Sequence, residues 1–531
     1  MKKYSITGKS IIGYQKNISS EKDFKILSPL LKKELKEDFF IATESEVDLA
    51  LNFAHKAFKE YRLIPSRRRA DFLNEIINHI SDCKNEIIER AHLETALPIQ
   101  RLEGEMDRTL NQIKLFVNLI LDGSYVNATI VADELKSKQD IRKMLIPIGP
   151  VAVFGASNFP LAFSTAGGDT ISALAAGCPV IVKSHPAHAG TGELVATAIC
   201  EAARKTKMPE GVFSNLNDSG YFVGQKLVKA KQIKAVAFTG SYTGGMELYK
   251  IACNRKTPIP VFAEMGSVNP LFVLPNYVKD NLHEFAKNYV ASLTLGAGQF
   301  CTNPGLMFVI EGEYLEKLFD ILSDEVQNAI THEMLTERIA NNYSQLLKKA
   351  LSKKEVYPIA VSEKYHSKFE ANTVVVKTTG YNFKQDNSLQ KEIFGPHSLI
   401  VVCKDFQEML DIIDNLEGQL TASVFANKNE TEKQTKLFEK LSDIAGRLIL
   451  NDMPTGVQVC SAMHHGGPFP ATSNSQYTSV GTDSIKRFLK PVCFQNLPDE
   501  LLPNELRNVN KLKIFRNVNN IFTKNNLNVK S

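Results

Sequence analysis

Three side chains in this chain are of the kinds that acyl chemistry requires. Cys301 ends the glycine-containing stretch 298–301, Glu264 lies upstream of it, and Asn158 lies in a turn before Phe-Pro. A thiolate is a covalent nucleophile, a carboxylate can activate water, and a side-chain amide can hold an oxyanion. Together the three residues predict covalent catalysis with Cys301 as the nucleophile.

Each of these residues also has a purely structural interpretation. A cysteine is usually a small buried hydrophobic residue. Glu264 would otherwise be a salt-bridged carboxylate, and Asn158 a turn residue. Glycines on both sides of Cys301 favour a function for it, because glycine lets a ligand approach the backbone closely.

A glycine-rich turn at 238–245 predicts a phosphate site. It closes an apolar strand and opens a helix, so backbone amides and the helix N-terminus would face an anion. Its spacing is Gly-x-x-x-x-Gly. From this turn alone, a steric role for the glycines is about equally plausible.

Lys183 leaves the carboxyl end of a predicted buried strand. Ligands of open parallel sheets bind at that end, so the lysine could contact a ligand, although most lysines simply lie in water. His185 and His188 follow, but no carboxylate or third ligand stands nearby in the sequence. We therefore interpret them as loop or capping histidines and predict no metal site.

The elements that would position these residues are those of an α/β protein. Residues 45–120 have apolar side chains at helical spacing, and 129–144 alternates loosely, as in a protruding hairpin. Beyond 149, short apolar runs alternate with helical stretches, which predicts parallel sheets covered on both faces. After Pro498 we expect a polar surface extension with at most one edge strand. The predicted strands are 149–155, 179–183, 235–240, 261–265 and 271–274, and the predicted helices between them are 165–177, 188–205 and 219–231.

Composition sets outer limits on the function. The chain has 531 residues, a net charge of +5 and 43% hydrophobic residues, so it should form two or three domains. The charge is spread along the chain, which argues against nucleic acid as a partner. Eight cysteines without paired spacing argue against a zinc or disulfide framework. We find no signal peptide and no apolar run of ~20 residues, and expect a cytoplasmic protein without membrane contact.

Over nearly its whole length the chain resembles an aldehyde dehydrogenase. Four blocks match that family in order, at 154–160, 240–245, 264–266 and 298–301, and the block 391–396 adds a fifth. The resemblance implies an aldehyde dehydrogenase-like α/β fold with two Rossmann-type parallel-sheet domains and an oligomerisation arm. Because such arms pair subunits, we expect a homodimer or a homotetramer. The implied regions are a cofactor-binding domain at 1–127 and 148–263, a catalytic domain at 264–457, oligomerisation or bridging elements at 128–147 and 458–498, and a C-terminal extension at 499–531.

The resemblance also implies a role for individual residues. Cys301 would attack an aldehyde to form a thiohemiacetal, whose oxyanion the Asn158 amide and the Cys301 backbone N–H would hold. Oxidation by NAD or NADP would leave a thioester, and Glu264 would activate the water that hydrolyses it. Lys183 completes the implied catalytic set. The residues implied to contact the cofactor are Lys183, Ser184, Pro186, Gly240, Ser241, Gly245, Glu392 and Phe394.

One departure from the family pattern bears on the cofactor. Common NAD-using members have a glutamate three residues after the cofactor lysine, where this chain has Pro186. Without that carboxylate a 2′-phosphate is tolerated and NAD loses an anchor. His185 and His188 could also meet the phosphate. We therefore predict that both cofactors are used and that NADP is preferred.

The substrate is predicted from the branch of the family. The blocks 154–163, 183–188 and 463–468 are similar to enzymes that oxidise 2,5-dioxopentanoate to 2-oxoglutarate. Long-chain fatty aldehyde oxidisers share much of this branch and are the alternative. Outside this class, the alternative is a nucleotide-binding, esterase-like protein without dehydrogenase activity.

One helix face is expected to border the substrate tunnel. Arg108 and Gln112 lie on it at i and i+4, and Arg108 could pair with a substrate carboxylate. A solvated arginine paired with Asp107 or Glu105 is about equally plausible. Four phenylalanines are expected to form apolar tunnel walls, which suit an aliphatic chain just as well: Phe159, Phe163, Phe300 and Phe469.

Overall fold

The computed structural model describes residues 4–17, 20, 22–131, 139–330, 333–362 and 367–527. Part of the predicted hairpin, residues 132–138, therefore lies outside the described residues. None of the described helices is both long enough and apolar enough to cross a bilayer. The helices are α1 Glu44–Tyr61, α2 Ser66–Asp82, α3 Lys84–Thr95, α4 Ile99–Asp122, α5 Gly168–Ala176, α6 Ala189–Lys205, α7 Phe222–Lys229, α8 Tyr242–Cys253, α9 Pro275–Thr294, α10 Tyr314–Asn328, α11 Glu337–Leu351, α12 Gly380–Gln385, α13 Phe406–Ile413 and α14 Thr431–Ile444.

The strands are short and fall into three main sheets. The five predicted strands are present, each slightly shorter at its ends than expected. The strands are β1 Ser10–Ile12, β2 Gln15–Asn17, β3 Asp23–Phe24, β4 Leu27–Ser28, β5 Lys33–Glu34, β6 Phe39–Phe40, β7 Thr129–Val131, β8 Ile141–Pro147, β9 Val151–Phe154, β10 Val180–Lys183, β11 Phe213–Leu216, β12 Ala235–Thr239, β13 Val261–Glu264, β14 Leu271–Val273, β15 Leu306–Ile310, β16 Tyr357–Val361, β17 Val374–Thr379, β18 His397–Cys403, β19 Gln419–Phe425, β20 Ala445–Leu450, β21 Leu489–Gln495, β22 Arg516–Val518 and β23 Ile521–Thr523.

The first sheet has the strand order β13-β12-β9-β10-β11-β1-β2. Strands β9 to β13 are parallel, and β1 and β2 add an antiparallel edge. Strands β9 and β10 are apolar at every buried position, as expected for a parallel sheet covered by helices. The strand order reverses around β9, so a crevice opens at the carboxyl ends of the strands beside it.

The second sheet has the order β16-β17-β18-β15-β14-β19-β20 and is parallel except for the edge pair β16 and β17. Its faces are covered by two separate apolar clusters, one built around Phe272 and Phe308 and the other around Tyr289. The predicted α/β fold with two Rossmann-type parallel sheets is confirmed.

The third sheet, here called the arm sheet, has the order β21-β8-β7-β22-β23. Its β7 and β8 are the antiparallel strands of the predicted hairpin. The C-terminal residues supply β22 and β23, so the prediction of a surface extension with at most one edge strand is wrong. Leu502, Leu506, Ile514 and Arg516 are all buried in this tail.

Candidate active site

The carboxyl ends of four parallel strands meet at one edge of the first sheet. In the register, Lys183 of β10 is paired with Phe154 of β9, and Thr239 of β12 is paired with Glu264 of β13. The segment with Asn158 follows β9, and the turn 240–245 follows β12. The fold therefore brings four predicted parts of the site to the same crevice. They are Asn158, Lys183, the turn 240–245 and Glu264.

The Cys301 loop enters this crevice from the second sheet. It follows α9 through a short 3-10 turn at 295–298, in which Gly296, Ala297 and Gly298 all have positive φ. A Cβ on Gly298 would lie 2.3 Å from the carbonyl carbon of Gly395, so only glycine fits this close backbone approach. The buried Asn269 amide donates to the carbonyl oxygen of Cys301 at 2.9 Å and fixes the loop from below.

The Cys301 thiol contacts a histidine that in turn contacts Glu264. The Nε2 atom of His465 lies 3.4 Å from Cys301 Sγ and 3.0 Å from Glu264 Oε1. The Ser479 hydroxyl donates to the other oxygen of Glu264. His465 and Glu264 are buried, whereas Cys301 is half-buried and so remains accessible to a substrate. The arrangement places a nucleophile, an imidazole and a carboxylate in one continuous contact chain.

The pKa values of His465 and Glu264 are dominated by the opposite charges of the two side chains. Burial alone would lower the pKa of His465, but the adjacent Glu264 and Cys301 raise it to about 10. Burial alone would raise the pKa of Glu264, but contact with His465 and Ser479 lowers it. At neutral pH the pair is therefore an imidazolium beside a carboxylate.

Asn158 is buried beside the Cys301 loop. Its Nδ2 atom donates to the carbonyl oxygen of Gln299 at 2.9 Å, and its own carbonyl oxygen accepts from Arg101 at 2.7 Å. A primary amide has a second N–H, which leaves one donor for another acceptor. The Asn158 side chain is thus held by Gln299, two positions before Cys301.

Helix α4 turns two arginines toward the same region. Arg108 lies over the Phe163 ring at 4.9 Å, and Arg101 lies over Phe300 at 4.7 Å. Within the described residues, both Nη atoms of Arg108 and the Nη1 atom of Arg101 are buried without a hydrogen-bond acceptor. Burial lowers the pKa of both guanidinium groups, and nearby Glu105 opposes that shift.

The alternative pairing of Arg108 with Asp107 or Glu105 is not what the structure contains. Asp107 pairs with Lys84 at 2.6 Å. Glu105 accepts from the backbone N–H groups of Leu161 and Ala162 at 2.9 Å each. Arg108 is thus left with one long hydrogen bond, from Nε to a backbone carbonyl at 3.4 Å.

The predicted tunnel residues separate into two places. Phe159 contacts both Phe163 and Phe300 with ring centroids 5.3 Å apart, which forms one aromatic cluster below the arginines. Phe469 lies elsewhere: it is exposed, and its ring contacts Tyr242 at the first turn of α8. Gln112 is buried, and a Cβ on Gly168 would lie 2.4 Å from its Nε2 atom, so it packs against α5.

The turn before α8 presents an open helix N-terminus. Residues 240–243 are exposed, and the first turn of α8 has no acidic residue. Ser241 caps this helix by accepting from the N–H of Gly244 at 3.2 Å. Gly245 has a packing reason of its own, because a Cβ there would lie 2.7 Å from Met265 Sδ. Both interpretations of the glycines in this turn therefore have support.

Lys183 and Ser184 lie at the end of β10, and Pro186 begins the next turn. Burial lowers the pKa of Lys183 to about 8, against a smaller raising effect of Asp218. The Ser184 hydroxyl is buried and has no hydrogen-bond partner in the described part of the chain. Both polar groups are thus available to a ligand.

The two histidines after Lys183 do not suit a phosphate. His188 is fully buried, its Nε2 atom lies 3.0 Å from the carbonyl oxygen of Ala156, and its ring stacks on His185 at 5.1 Å. Burial lowers the pKa of both rings, so both are neutral at physiological pH. The expectation that His188 could meet a 2′-phosphate is wrong, because the ring lies beneath the surface.

The block at 391–396 lies against the Cys301 loop. Glu392 sits close to the backbone at Gly266 and Ser267, and burial raises its pKa to about 7. Phe394 is half-buried beside it. Glu392 therefore lies beside the carboxyl end of β13, which carries Glu264.

Sequence reasoning missed two residues of this site. His465 lies in the block 463–468, which by its sequence indicated only a branch of the family. Arg101 lies two helical turns before Arg108 on the same face of α4, so helical periodicity could have included it. The signal for His465 was weaker, since nothing in its spacing links it to Cys301.

The chain is similar to known proteins along most of its length. Residues 15–488 match the sequence profile of the aldehyde dehydrogenase family. The chain is 43% identical over 516 residues to alpha-ketoglutaric semialdehyde dehydrogenase 2 of Azospirillum brasilense, covering 96% of this chain and 98% of that protein. It is 42% identical over 499 residues to alpha-ketoglutaric semialdehyde dehydrogenase of Acinetobacter baylyi, covering 92% and 93%.

A solved structure shows the same fold at low sequence identity. A 1-pyrroline-5-carboxylate dehydrogenase from Thermus with bound NAD superimposes with a TM-score of 0.79 and 20% identity. The match covers 92% of this chain and 92% of that chain.

Proposed function

Because this chain belongs to the aldehyde dehydrogenase family, we propose that it oxidises an aldehyde to a carboxylic acid with Cys301 as the nucleophile. The observation that carries the proposal is the contact chain from Cys301 Sγ through His465 to Glu264, at 3.4 Å and 3.0 Å. A buried carboxylate linked to a half-exposed thiol is the set of groups that acyl transfer to sulfur and hydrolysis require.

The proposed reaction begins with a bond between Cys301 and the aldehyde carbon. The thiol proton would pass through His465 to the Glu264 carboxylate and on to solvent, which leaves Glu264 ionised for the later step, and negative charge develops on the aldehyde oxygen. The free N–H of the Asn158 amide and the backbone N–H of Cys301 would hold that oxygen, a type of contact that contributes about 3–4 kcal/mol in related enzymes. Glu264 would then take a proton from water, whose attack on the thioester releases the acid and returns the thiol.

The oxidation in this proposal would be supplied by bound NAD(P), which would accept the hydride lost from the thiohemiacetal carbon. The residues fit such a group. The exposed N-terminus of α8 can face a pyrophosphate, and the unpartnered Ser184 hydroxyl and Lys183 can reach a ribose. The predicted contacts at Gly240, Gly245, Pro186, Glu392 and Phe394 belong to the same proposal.

NADP is the preferred cofactor in this proposal. Pro186 offers no carboxylate against a 2′-phosphate. Since His185 and His188 are neutral, the positive charges next to that position come from Lys183 and from Arg338, whose charge also acts on His185. Assembly as a homodimer or homotetramer through the arm sheet, and the division into cofactor-binding, catalytic and bridging regions, remain part of the same proposal.

We propose 2,5-dioxopentanoate as the substrate. Two relatives above 40% identity are named as alpha-ketoglutaric semialdehyde dehydrogenases. The independent support is the pair Arg101 and Arg108, which present buried guanidinium N–H groups without acceptors above the aromatic cluster. A carboxylate on the far end of the aldehyde would supply those acceptors. The aromatic cluster itself suits a fatty aldehyde, which is the second candidate.

Assays of the purified enzyme with a panel of aldehydes test both the dehydrogenase activity and the choice of substrate. NAD(P)H absorbance should rise with 2,5-dioxopentanoate and should vanish in Cys301→Ala. Arg108→Met should raise the KM for 2,5-dioxopentanoate about 10- to 100-fold, the worth of a charged hydrogen bond, and leave octanal unchanged. Arg67→Met removes an exposed arginine from α2 and is the matched control.

One result would contradict the proposed substrate, and another would contradict the dehydrogenase activity itself. An equal effect of Arg108→Met on both substrates would remove the carboxylate contact and favour the fatty aldehyde. No NAD(P)H with any aldehyde, together with thioester hydrolysis, would favour an esterase-like protein and remove the dehydrogenase activity.

A further inference from the structure

The fold brings together three side chains that are all good metal ligands. Cys301 Sγ, His465 Nε2 and a Glu264 carboxylate oxygen all lie within 4.8 Å of one another. The chain spacing between them is long, so no metal site could be predicted from the sequence. We propose that these three residues bind a thiophilic divalent cation, Zn²⁺ above all, and that the bound cation inhibits the enzyme by occupying its nucleophile.

The distances suit a tetrahedral ion with little rearrangement. Zinc binds sulfur at about 2.3 Å, and imidazole nitrogen and carboxylate oxygen at about 2.0–2.2 Å. At tetrahedral angles these bond lengths separate neighbouring ligand atoms by roughly 3.3–3.6 Å. The observed separations are 3.4 Å for Cys301 to His465 and 3.0 Å for His465 to Glu264. For these two pairs, shifts of a few tenths of an ångström reach zinc geometry, and the Cys301 thiol and the Glu264 carboxylate, within 4.8 Å of each other, would draw together around the ion.

The ligand types select the metal. Metal binding would displace the protons of His465 and Cys301. The resulting imidazole and thiolate, together with the Glu264 carboxylate, favour zinc over magnesium or calcium, which require oxygen ligands. The two anionic ligands balance a double positive charge. Three protein ligands leave the fourth coordination position of the ion open. Because Cys301 is half-exposed, an ion could reach the site from solvent along its side chain.

Other features of the cluster keep the site weaker than a structural zinc site. Nδ1 of His465 is buried and has no hydrogen-bond partner among the described residues, whereas a zinc-binding histidine normally donates its second N–H. The charges of Arg108 and Arg447 act on Cys301 and oppose a cation. The bound ion should therefore be removable by a chelator, with recovery of activity.

Metal titration of the purified enzyme without cofactor or substrate tests the proposal, so its outcome is separate from that of the proposed activity. Co²⁺ should give a thiolate-to-metal absorption band in the near ultraviolet, and equilibrium dialysis should find one Zn²⁺ per chain. His465→Asn and Cys301→Ala should each weaken Zn²⁺ binding at least tenfold. His464→Asn changes the adjacent, half-buried histidine and should bind Zn²⁺ as the wild type does.

A second measurement covers variants that fail to fold. Zn²⁺ should slow alkylation of Cys301 by iodoacetamide in the wild type, EDTA should restore the rate, and Mg²⁺ should have no effect. Absence of the Co²⁺–thiolate band, unchanged Zn²⁺ binding in folded His465→Asn, or alkylation that Zn²⁺ does not slow would each overturn the three-ligand site.

Discussion

Cys301 owes its surroundings to segments far apart in the chain. Asn269 holds its carbonyl oxygen, and His465 contacts its thiol from 164 positions away. The residues in recognisable local blocks, Asn158, Glu264 and Cys301 itself, could be predicted from the sequence. His465 could not, because its function depends on a contact that exists only after the two sheets have packed together.

The same reasoning applies to residues whose placement differed from expectation. From the sequence, His185 and His188 could meet a 2′-phosphate, but His188 is buried and its ring faces the carbonyl oxygen of Ala156. Exposure of a side chain depends on neighbours from other elements, and a single segment does not reveal it.

A prediction at the residue scale concerns Lys183 and the cofactor. Burial lowers its pKa to about 8, so the ammonium charge is present below that pH and is lost above it. The ratio of kcat/KM for NADP to that for NAD should therefore fall as pH rises through about 8, since kcat/KM reports the free enzyme. Steady-state kinetics on either side of that pKa, from mildly acidic to clearly alkaline buffer, measure the ratio.

Lys183→Arg is the control for this prediction. It keeps the charge across that range, so its ratio should not change near pH 8. A wild-type ratio that stays constant with pH would show that the lysine charge does not distinguish the two cofactors.

At the scale of elements, apolar patterning was informative for strands buried on both faces. The strands at 151–154, 180–183 and 235–239 could be predicted because a short continuous apolar run between turn residues is typical of a strand in a covered parallel sheet. In the tail, one edge strand was expected where the structure has β22 and β23, since each has three residues and a mixed composition. Their pairing with β7 joins the tail to a strand from the first third of the chain, and no local pattern encodes that.

Gly298 gives a prediction for the loop that carries the nucleophile. Its φ is +66°, and a Cβ would lie 2.3 Å from the Gly395 carbonyl carbon, which is rigid backbone. Gly298→Ala should cost about 1–2 kcal/mol for the left-handed conformation and more for the clash. We expect a lower Tm and a lower kcat, since the loop must move away from Gly395 and take Cys301 with it.

Gly104→Ala is the matched control. Gly104 lies in the exposed face of α4 with nothing within 4 Å of a Cβ. Alanine there should stabilise the protein by about 0.5–1 kcal/mol without changing kcat. Thermal melting and steady-state kinetics on both variants make the comparison. Equal Tm values for Gly298→Ala and wild type would contradict the packing argument.

At the scale of the whole molecule, the tail is an integral part of the arm sheet. Arg516 is fully buried and donates to the backbone carbonyls of Arg507 and Asn525. Ile514 packs against Gly123 at the end of α4, where a Cβ would lie 2.3 Å from it. The tail thus links the arm sheet to the helical N-terminal region.

Truncation after Pro498 should therefore destabilise the protein. It removes the buried side chains of Leu502, Leu506 and Ile514, each worth about 1.5–3 kcal/mol, and exposes the edge of β7. We expect a lower Tm and aggregation at concentrations where the full chain stays dispersed. Thermal melting and light scattering measure these effects.

Removal of residues 528–531 alone is the control, because it leaves β22, β23 and the buried side chains of Leu502, Leu506 and Ile514 in place. It should leave the melting temperature unchanged. A truncation after Pro498 that melts like the full chain would show that the tail contributes nothing to stability.

The pairing of β22 with β7 also sets the order in which the protein can be completed on the ribosome. The first sheet has all its strands once residue 264 has emerged, and domains generally fold as they are synthesised. The arm sheet also requires residues 516–523 and can close only after these have emerged as well. Until then β7 has an open edge, so a nascent chain can fold its first sheet but cannot finish the sheet through which we expect subunits to assemble.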